Sequence, residues 1–236
     1  MTSVIKQAHQ GGADILINDT LCHLDPRGVL YLPSYRTLVV SDLHLEKGSF
    51  FARRGMMLPP YDTLATLALL KTIIDDYQPS CVISLGDSFH DCHGASRLAD
   101  EASGLLRQMM KSRQWLWIEG NHDPVHPAGL EGESMAQFRL GGLIFRHEPL
   151  AGDNPGEVAG HLHPAAKIIR QGRSVRRSCF VNNGRRLIMP AFGTYTGSLN
   201  VLDKAFRGLF DVSGFDVHLR SEARIFTVHP RFLRPD

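Results

Sequence analysis

The chain has 236 residues and a mass of 26.3 kDa, enough for one sizeable core. Apolar residues make up 43% and charged residues 21%, a globular balance that excludes collagen, coiled coil and disorder. The net charge of +2 gives no global attraction to nucleic acid, and the longest charge-free stretch, 16 residues over 187–202, contains Pro190, Gly193 and Gly197 and is no membrane span.

Residues 14–41 read as strands. Ile15, Ile17 and Leu21 lead into Asp25-Pro26-Arg27-Gly28, a turn, and the apolar run 29–32 follows. Leu38-Val39-Val40 is a continuous apolar run and predicts a buried central strand. A loop of about twenty residues comes next, over 42–61, a length that is usually functional. Asp62 is expected to cap a helix with the stripe Leu67, Leu70, Ile73, Ile74 and Tyr77. Residues 81–85 make the next strand, 95–111 a second helix and 115–118 a third strand. The β-α-β-α-β order argues for a parallel α/β core. Beyond residue 138 short runs at 138–140, 143–146, 167–170, 179–181, 187–189, 210–219 and 225–228 predict a mostly antiparallel half. The expected architecture is a two-sheet sandwich with helices outside, in a single domain over 1–236.

Twelve histidines is a high count, and their placement matters more than their number. The first core strand ends in Asp42-Leu43-His44, the second in Gly86-Asp87-Ser88-Phe89-His90-Asp91, the third in Gly120-Asn121-His122-Asp123. His147 follows the strand 143–146, and Gly160-His161-Leu162-His163 lies beyond it. Open α/β sheets bind ligands at the carboxyl ends of their strands, so these segments are expected to converge. Imidazole and carboxylate donors suit a pair of transition metals. Asp87 is the best candidate for a bridging carboxylate, and Asn121 supplies a neutral oxygen. Two divalent ions (+4), two aspartates (−2) and a bridging hydroxide (−1) leave about +1, which suits an anionic phosphate ester.

The order D-x-H, G-D-x-x-H, G-N-H-D, H, G-H-x-H across residues 42–163 resembles the calcineurin-like metallophosphoesterase superfamily. The resemblance implies a four-layer α/β/β/α sandwich. It implies one metal on Asp42, His44, Asp87 and His163, and a second on Asp87, Asn121, His147 and His161. His122 would stabilise the transition state or protonate the leaving oxygen, with Asp123 orienting it. A closer similarity runs through residues 41–54 (SDLHLEKGSFFARR), 86–91 (GDSFHD), 146–149 (RHEP), 159–164 (AGHLHP) and 187–199 (LIMPAFGTYTGSL). These stretches resemble bacterial ligase-associated DNA damage response endonucleases of the PdeM type. That likeness implies a metal-dependent phosphodiesterase or nuclease whose metal-bridging hydroxide attacks phosphorus. It also implies manganese, with zinc or iron as alternatives, and DNA, an ATP-dependent DNA ligase and a helicase as partners. The arginine that protein phosphatases of the superfamily carry after the second motif is missing here; Gly-Asp-x-Phe-His resembles the repair-nuclease branch, and His90 would help position a diester.

Lys47, Arg53 and Arg54 in the 42–61 loop are candidate phosphate contacts or a solvated loop. Phe50 and Phe51 could stack on a base, pin the loop or bury a dimer contact, the last giving a homo-oligomer. Residues 167–186 carry seven basic and no acidic residues, leaving 19 basic and 24 acidic elsewhere. Such a stripe fits nucleic acid or a solvated outer face. His93, and the histidines outside the motifs (His9, His23, His126, His218 and His229), read as surface or packing residues. The first 14 residues lack the apolar core of a signal peptide, and four dispersed cysteines suit a reducing compartment, so a cytoplasmic protein is expected. Two rivals to the nuclease stay open: a phosphomonoesterase or cyclic-nucleotide phosphodiesterase, and a non-enzymatic scaffold.

Overall fold

The computed structural model describes residues 11–56, 61–211 and 214–236. The first sheet has seven strands in sequence order: β1 Ala13–Ile17, β2 Thr20–Leu24, β3 Leu30–Leu32, β4 Thr37–Val40, β5 Cys81–Leu85, β6 Gln114–Ile118 and β7 Glu133–Met135. The pairs from β1 to β4 are antiparallel and those from β4 to β7 parallel. The turn at 25–28 forms as expected, closed by the Gly28 N–H on the Asp25 carbonyl at 2.9 Å. Two helices cross between the parallel strands, α2 Asp62–Tyr77 and α4 Asp100–Met110. The shorter α1 Lys47–Ala52 and α3 Gly94–Arg97 precede them.

The second sheet runs through β8 Gln137–Leu140, β9 Leu143–Arg146, β10 Glu157–Ala159, β11 Pro164–Arg170, β12 Arg173–Asn182, β13 Arg186–Ile188 and β14 Leu199–Asn200. Strands β15 Asp216–Arg220, β16 Ile225–Val228 and β17 Leu233–Arg234 join it. Most of its pairs are antiparallel, but β10 lies parallel to both β9 and β13, and β11 to β14.

Strand alternation builds the layers. In the first sheet Leu38, Val40, Val82, Trp115 and Trp117 face α2 and α4, where Leu67, Leu70, Ile73, Ile74 and Leu106 meet them. The intervening Val39, Ile83, Leu85, Leu116 and Ile118 face the second sheet and pack on Phe145, Val158, Phe180, Leu187 and Met189. The outer face of the second sheet buries Ala159, Cys179, Val181, Ile188, Val217 and Leu219 under Val201, Phe206 and Leu209. This is the α/β sandwich of two mixed sheets expected from the motifs. Its outer cover differs in kind on the two sides. Among the described residues every α-helix precedes residue 111, and the second sheet is covered by the segment 201–210 with a single 3-10 turn at Lys204–Phe206. None of these helices is long and apolar enough to cross a membrane.

Three local expectations need correction. The 42–61 stretch is not structureless, because α1 forms inside it; residues 57–60 lie outside those described. Asp62 does not cap α2. It is the first helical residue, and its Oδ2 accepts the Gly48 N–H at 3.0 Å, tying α1 to α2. The helix at 95–111 is two helices, because Leu98 and Ala99 adopt extended ψ of 128° and 152°. Apolar periodicity records neither kind of break.

The basic stretch 167–186 does not form one stripe. Arg186 is interior, Arg185 pairs with Asp153 at 2.8 Å, and Arg176 pairs with Asp236 at 2.9 Å. The β11/β12 register sets Arg170 opposite Arg173 and Ala166 opposite Arg177 on one face, and Lys167 opposite Arg176 on the other. The seven charges are thus divided between two faces and the interior. Cys22, Cys81 and Cys179 are buried and Cys92 exposed, all as free thiols.

Candidate active site

The strand ends converge as expected. Asp42 and His44 follow β4, Asp87 follows β5, residues 121–123 follow β6, His147 follows β9, and His161 and His163 lie between β10 and β11. The backbone there is unusual. Asp42 (φ 53°), His44 (44°), Asp87 (46°), His161 (67°) and His163 (44°) all adopt left-handed conformations. Each such residue costs about 1–3 kcal/mol and survives only where its surroundings over-determine it. The constraint is visible in the hydrogen bonds. The Asp42 and His44 N–H groups donate to the Gly86 and Asp87 carbonyls at 3.3 and 2.9 Å. The Phe192 and Gly193 N–H groups donate to the Ser41 and Asp42 carbonyls at 2.9 and 3.1 Å. Two motif glycines are required by close approach. A Cβ on Gly120 would lie 2.3 Å from Asp87 Oδ1, and one on Gly160 would lie 2.5 Å from Asp42 Oδ2.

Three groups of side chains each bring donor atoms within 4.8 Å of one another: Asp42, His44 and His163; Asp87, His147 and His161; and His44, Asp87 and His122. The first two divide six of the ligands that the motifs imply in the same way, without Asp87 in the first group or Asn121 in the second. The third is new, and it makes Asp87 and His44 common to neighbouring groups. Asp87 Oδ2 lies 3.4 Å from His147 Nε2 and 3.9 Å from both His44 Nε2 and His122 Nε2. His163 Nε2 lies 3.1 Å from Asp42 Oδ1. Asn121 is exposed and lines a cavity of about 300 Å³ together with His147, Gly120 and Arg146.

The donor set fits divalent transition metals. His147 Nδ1 and His163 Nδ1 donate to the Leu85 and Gly197 carbonyls at 3.1 and 3.0 Å, so both rings turn Nε2 lone pairs inward. His44 Nε2 meets His163 Nε2 at 3.4 Å, and His161 Nδ1 meets His147 Nε2 at 3.1 Å. A proton on one nitrogen can bridge each pair in the metal-free protein, and a bound cation would take the place of that proton. Burial pushes His44 down to about 3 against the opposing charges of Asp42 and Asp87, so it is neutral and ready to ligate. Burial and the neighbouring His147 charge also lower His161. Asp42 and Asp87 stay below the ordinary carboxylate range although burial opposes it. The neighbouring His163 and His147, respectively, hold them ionised.

His147 behaves differently. Burial alone would lower it, but Asp87 at 3.4 Å and the Asp42 charge raise it to about 9. In the metal-free protein at pH 7.5 it is protonated and must lose that proton to ligate. Metal loading should therefore release at least about one proton. Titration calorimetry in two buffers of different ionisation enthalpy measures it, and apparent affinity should rise about tenfold per pH unit below about pH 9. The raised group stabilises the metal-free fold fully below about pH 6.5, and that contribution disappears as pH rises through about 9. The melting temperature in EDTA should fall across that window and recover with metal. A proton release of zero would sink this account of His147.

His122 is held otherwise than expected. Its Nδ1 bonds the His90 carbonyl at 2.9 Å, and its N–H donates to Asp87 Oδ1 at 2.9 Å. Asp123 does not orient it. That buried carboxyl accepts the Phe89 N–H at 3.0 Å, and its Oδ1 has no partner. Burial and the Asp87 charge raise Asp123 to about 7, against the Phe89 hydrogen bond. The His90 ring stacks on His122 with centroids 5.0 Å apart, and Phe50 and Phe51 pack on it at 4.6 and 5.5 Å. His90 therefore joins the site through its ring and its carbonyl. Burial, with Lys47 and His122 nearby, pushes it down to about 4, so it is neutral. Phe50 and Phe51 pin α1 to the site rather than standing free to stack on a base.

The candidate phosphate contacts separate. Lys47 donates its ammonium to the Tyr195 carbonyl at 2.7 Å, stapling α1 to the 193–198 loop. Arg54 lies over the Phe50 ring at 4.0 Å, and both Arg53 and Arg54 are exposed. His93 is exposed, and the other histidines outside the motifs are structural: His23 pairs with Asp14, His126 with Ser134, His218 with Thr227, and His229 accepts the Arg231 N–H. His9 lies outside the described residues. Ser41, whose hydroxyl donates to Asp42 Oδ2 at 2.5 Å, was not singled out by any motif. Its signals in the sequence are its place next to Asp42 and at the head of the 41–54 stretch.

A family model for calcineurin-like phosphoesterases matches residues 35–211. The chain belongs to the calcineurin-like phosphoesterase family. It is a hydrolase acting on phosphoester bonds, and its ligand clusters suit the divalent metals that the family uses. Among solved structures it is similar to the Pseudomonas putida nuclease MPE, at 26% identity and a TM-score of 0.72, over 92% of this chain and 100% of that one. A conserved protein of Streptococcus pneumoniae TIGR4, described as a predicted phosphoesterase, aligns at 16% identity and a TM-score of 0.29, over 84% of this chain and 97% of that one. A search of curated proteins finds no match.

Proposed function

We propose that this chain is a dinuclear-metal phosphodiesterase that cleaves DNA as an endonuclease in repair. The observation that carries this is the pair of clusters, Asp42-His44-His163 and Asp87-His147-His161, linked through His44 and Asp87 beside the partly exposed His122, with cavities on both sides. One cavity lies at His147 and Asn121, the other, of about 250 Å³, at His163. A diester extends in two directions from phosphorus, and the site leaves room in both. The likeness to a nuclease at 26% identity supports the same reading.

Asp42, His44, Asp87 and His163 would hold one cation, and Asp87, Asn121, His147 and His161 the other. Manganese is the favoured ion. When bound, such cations supply an activated water and neutralise the ester oxygens. The chain does the rest. The Leu85 and Gly197 carbonyls orient two ligand rings, and Ser41 and the His161 N–H orient Asp42. His90 holds His122 through its carbonyl, leaving Nε2 free to carry a proton to the leaving oxygen. The ligase and helicase partners rest on the sequence resemblance, and the cytoplasmic setting on the four dispersed cysteines that suit a reducing compartment.

The test compares bis-p-nitrophenyl phosphate, p-nitrophenyl phosphate and plasmid DNA with manganese present. Diester turnover with nicking of closed circular DNA is expected. His122→Ala should lower that turnover by about 10²- to 10³-fold while metal content stays unchanged. Preference for the monoester would overturn the nuclease reading in favour of a small phosphorylated substrate.

A further inference from the structure

Beside His163 the cavity of about 250 Å³ is walled by Ser178, Phe192, Thr196, Ser198 and Arg220. Arg220 is the last residue of β15, far from every motif. Its Nε donates to the Pro26 carbonyl at 2.8 Å and its Nη1 to Ser178 Oγ at 3.2 Å. Among the described residues no carboxylate lies within ion-pair distance of it. Asp25, the carboxylate whose charge acts on it, is already engaged by Arg27 and Tyr77. Burial pushes Arg220 down to about 10, which still leaves it charged at neutral pH. A largely desolvated guanidinium with two donors fixed and no acid to neutralise it is costly unless an anion completes it.

The rest of the wall adds to the case. Arg176, from the neighbouring β12, donates to Ser198 Oγ at 2.6 Å and is itself paired with Asp236 at 2.9 Å, so it fixes the Ser198 wall and leaves Arg220 as the cation facing the cavity. The Gly197 carbonyl accepts from His163 Nδ1, so this cavity and the candidate metal cluster share one loop. On the other side of that loop Phe51, Met56 and Tyr195 line a larger cavity of about 540 Å³, which shares Thr196 and Gly197 with the first.

We propose that Arg220, positioned by Ser178, binds a phosphate next to the scissile one in a polynucleotide substrate. The proposal rests on the nuclease reading and adds to it a residue that tells a chain from an isolated diester. A guanidinium meets phosphate oxygens through paired N–H donors, and losing such a charge-assisted contact costs about 10- to 100-fold in binding. A single-phosphate substrate has no second phosphate to place at Arg220, so its turnover should be indifferent to that residue.

The test uses the full chain, with Arg220→Gln and the milder Ser178→Ala. On bis-p-nitrophenyl phosphate both variants should stay within about twofold of the parent, which also shows that they fold. On a short single-stranded oligonucleotide Arg220→Gln should raise KM about 10- to 100-fold with little change in kcat, and Ser178→Ala should fall between. Replacing one flanking phosphate by a neutral methylphosphonate, on the 5′ side in one oligonucleotide and the 3′ side in another, should reproduce the loss in the parent for one of the two. The same substitution should have no further effect in Arg220→Gln. Anisotropy of the labelled oligonucleotides on metal-free protein in EDTA gives the same comparison without turnover. Equal KM in parent and variant, or equal methylphosphonate sensitivity in both, overturns the Arg220 subsite. Failure of the parent to cleave any oligonucleotide while it turns over the small diester would instead overturn the nuclease reading.

Discussion

Replacing Asp87 by Ala should lower diester turnover by about 10³-fold or more, the largest effect on activity of any single substitution in the site. Asp87 is the carboxylate common to two of the three donor clusters, and its Oδ2 faces His147, His44 and His122 at once. Losing Asp42 strips one cluster; losing Asp87 strips two and leaves only the Asp42, His44 and His163 group. The same carboxylate holds the 121–122 backbone by accepting the His122 N–H at 2.9 Å. Asp87→Asn separates the two roles, because an amide oxygen keeps that hydrogen bond while the charge is gone. Both variants should lose activity, and Asn should keep the parent's melting temperature in EDTA more nearly than Ala. Metal analysis after dialysis should find less than the parent's content in both. Parent-level turnover with full metal content in Asp87→Ala would remove Asp87 from the centre of the site.

Arg186→Ala should be the most destabilising change, by about 3–5 kcal/mol. Arg186 and Glu157 are both buried, 2% and 0% exposed, and form an ion pair at 2.6 Å outside hydrogen-bond geometry. Arg186 also donates to the Leu209, Leu150 and Gly152 carbonyls, at 2.7, 2.6 and 3.0 Å. One guanidinium thus joins β13 and β10 to two loops at the edge of the second sheet. Truncation leaves the interior Glu157 with only Arg146, at 3.6 Å, to balance its charge, and takes the donor from the Leu209 carbonyl, while the Leu150 and Gly152 carbonyls keep the Asn154 amide. For a chain of this size the melting temperature should fall by roughly 8–16 °C. The double variant Arg186→Met, Glu157→Gln removes both charges and should recover part of the loss, since much of the single-variant cost is the stranded partner. Activity of the folded fraction at low temperature should stay within about twofold, as the pair lies away from the metal cluster. A drop of a few degrees only would mean that water reaches Glu157 and that the interior description of this pair is wrong.

The site and the stability pair were not equally legible. The candidate metal site could be read because each of its pieces is local: a short apolar run, then a small cluster of Asp, His, Asn and Gly at its carboxyl end. Residues 38–40, 81–85 and 114–118 form parallel neighbours, and parallel neighbours bring their carboxyl ends to one edge. The layered cores follow from the same regularity, since Val39 and Leu38 take opposite faces by strand alternation alone. Arg186 and Arg220 carried no such signal. In the sequence Arg186 is one of seven basic residues in a run, and only the fold turns it inward onto Glu157 while Arg185, its neighbour, reaches Asp153 at the surface.

The amino-acid sequence by itself determined the family, the strand-end convergence and the identities of the donor side chains, because these depend on hydrophobic period and on residues adjacent in the chain. The tertiary structure decided how those side chains are held. His122 rests on the His90 carbonyl and not on Asp123, Lys47 is spent on the Tyr195 carbonyl, and α1 forms inside the 42–61 stretch once Phe50 and Phe51 find the His90 ring. Each of these is a contact between elements distant in sequence. Its geometry is set by how the sheets and helices pack, and no local pattern of residues encodes that packing.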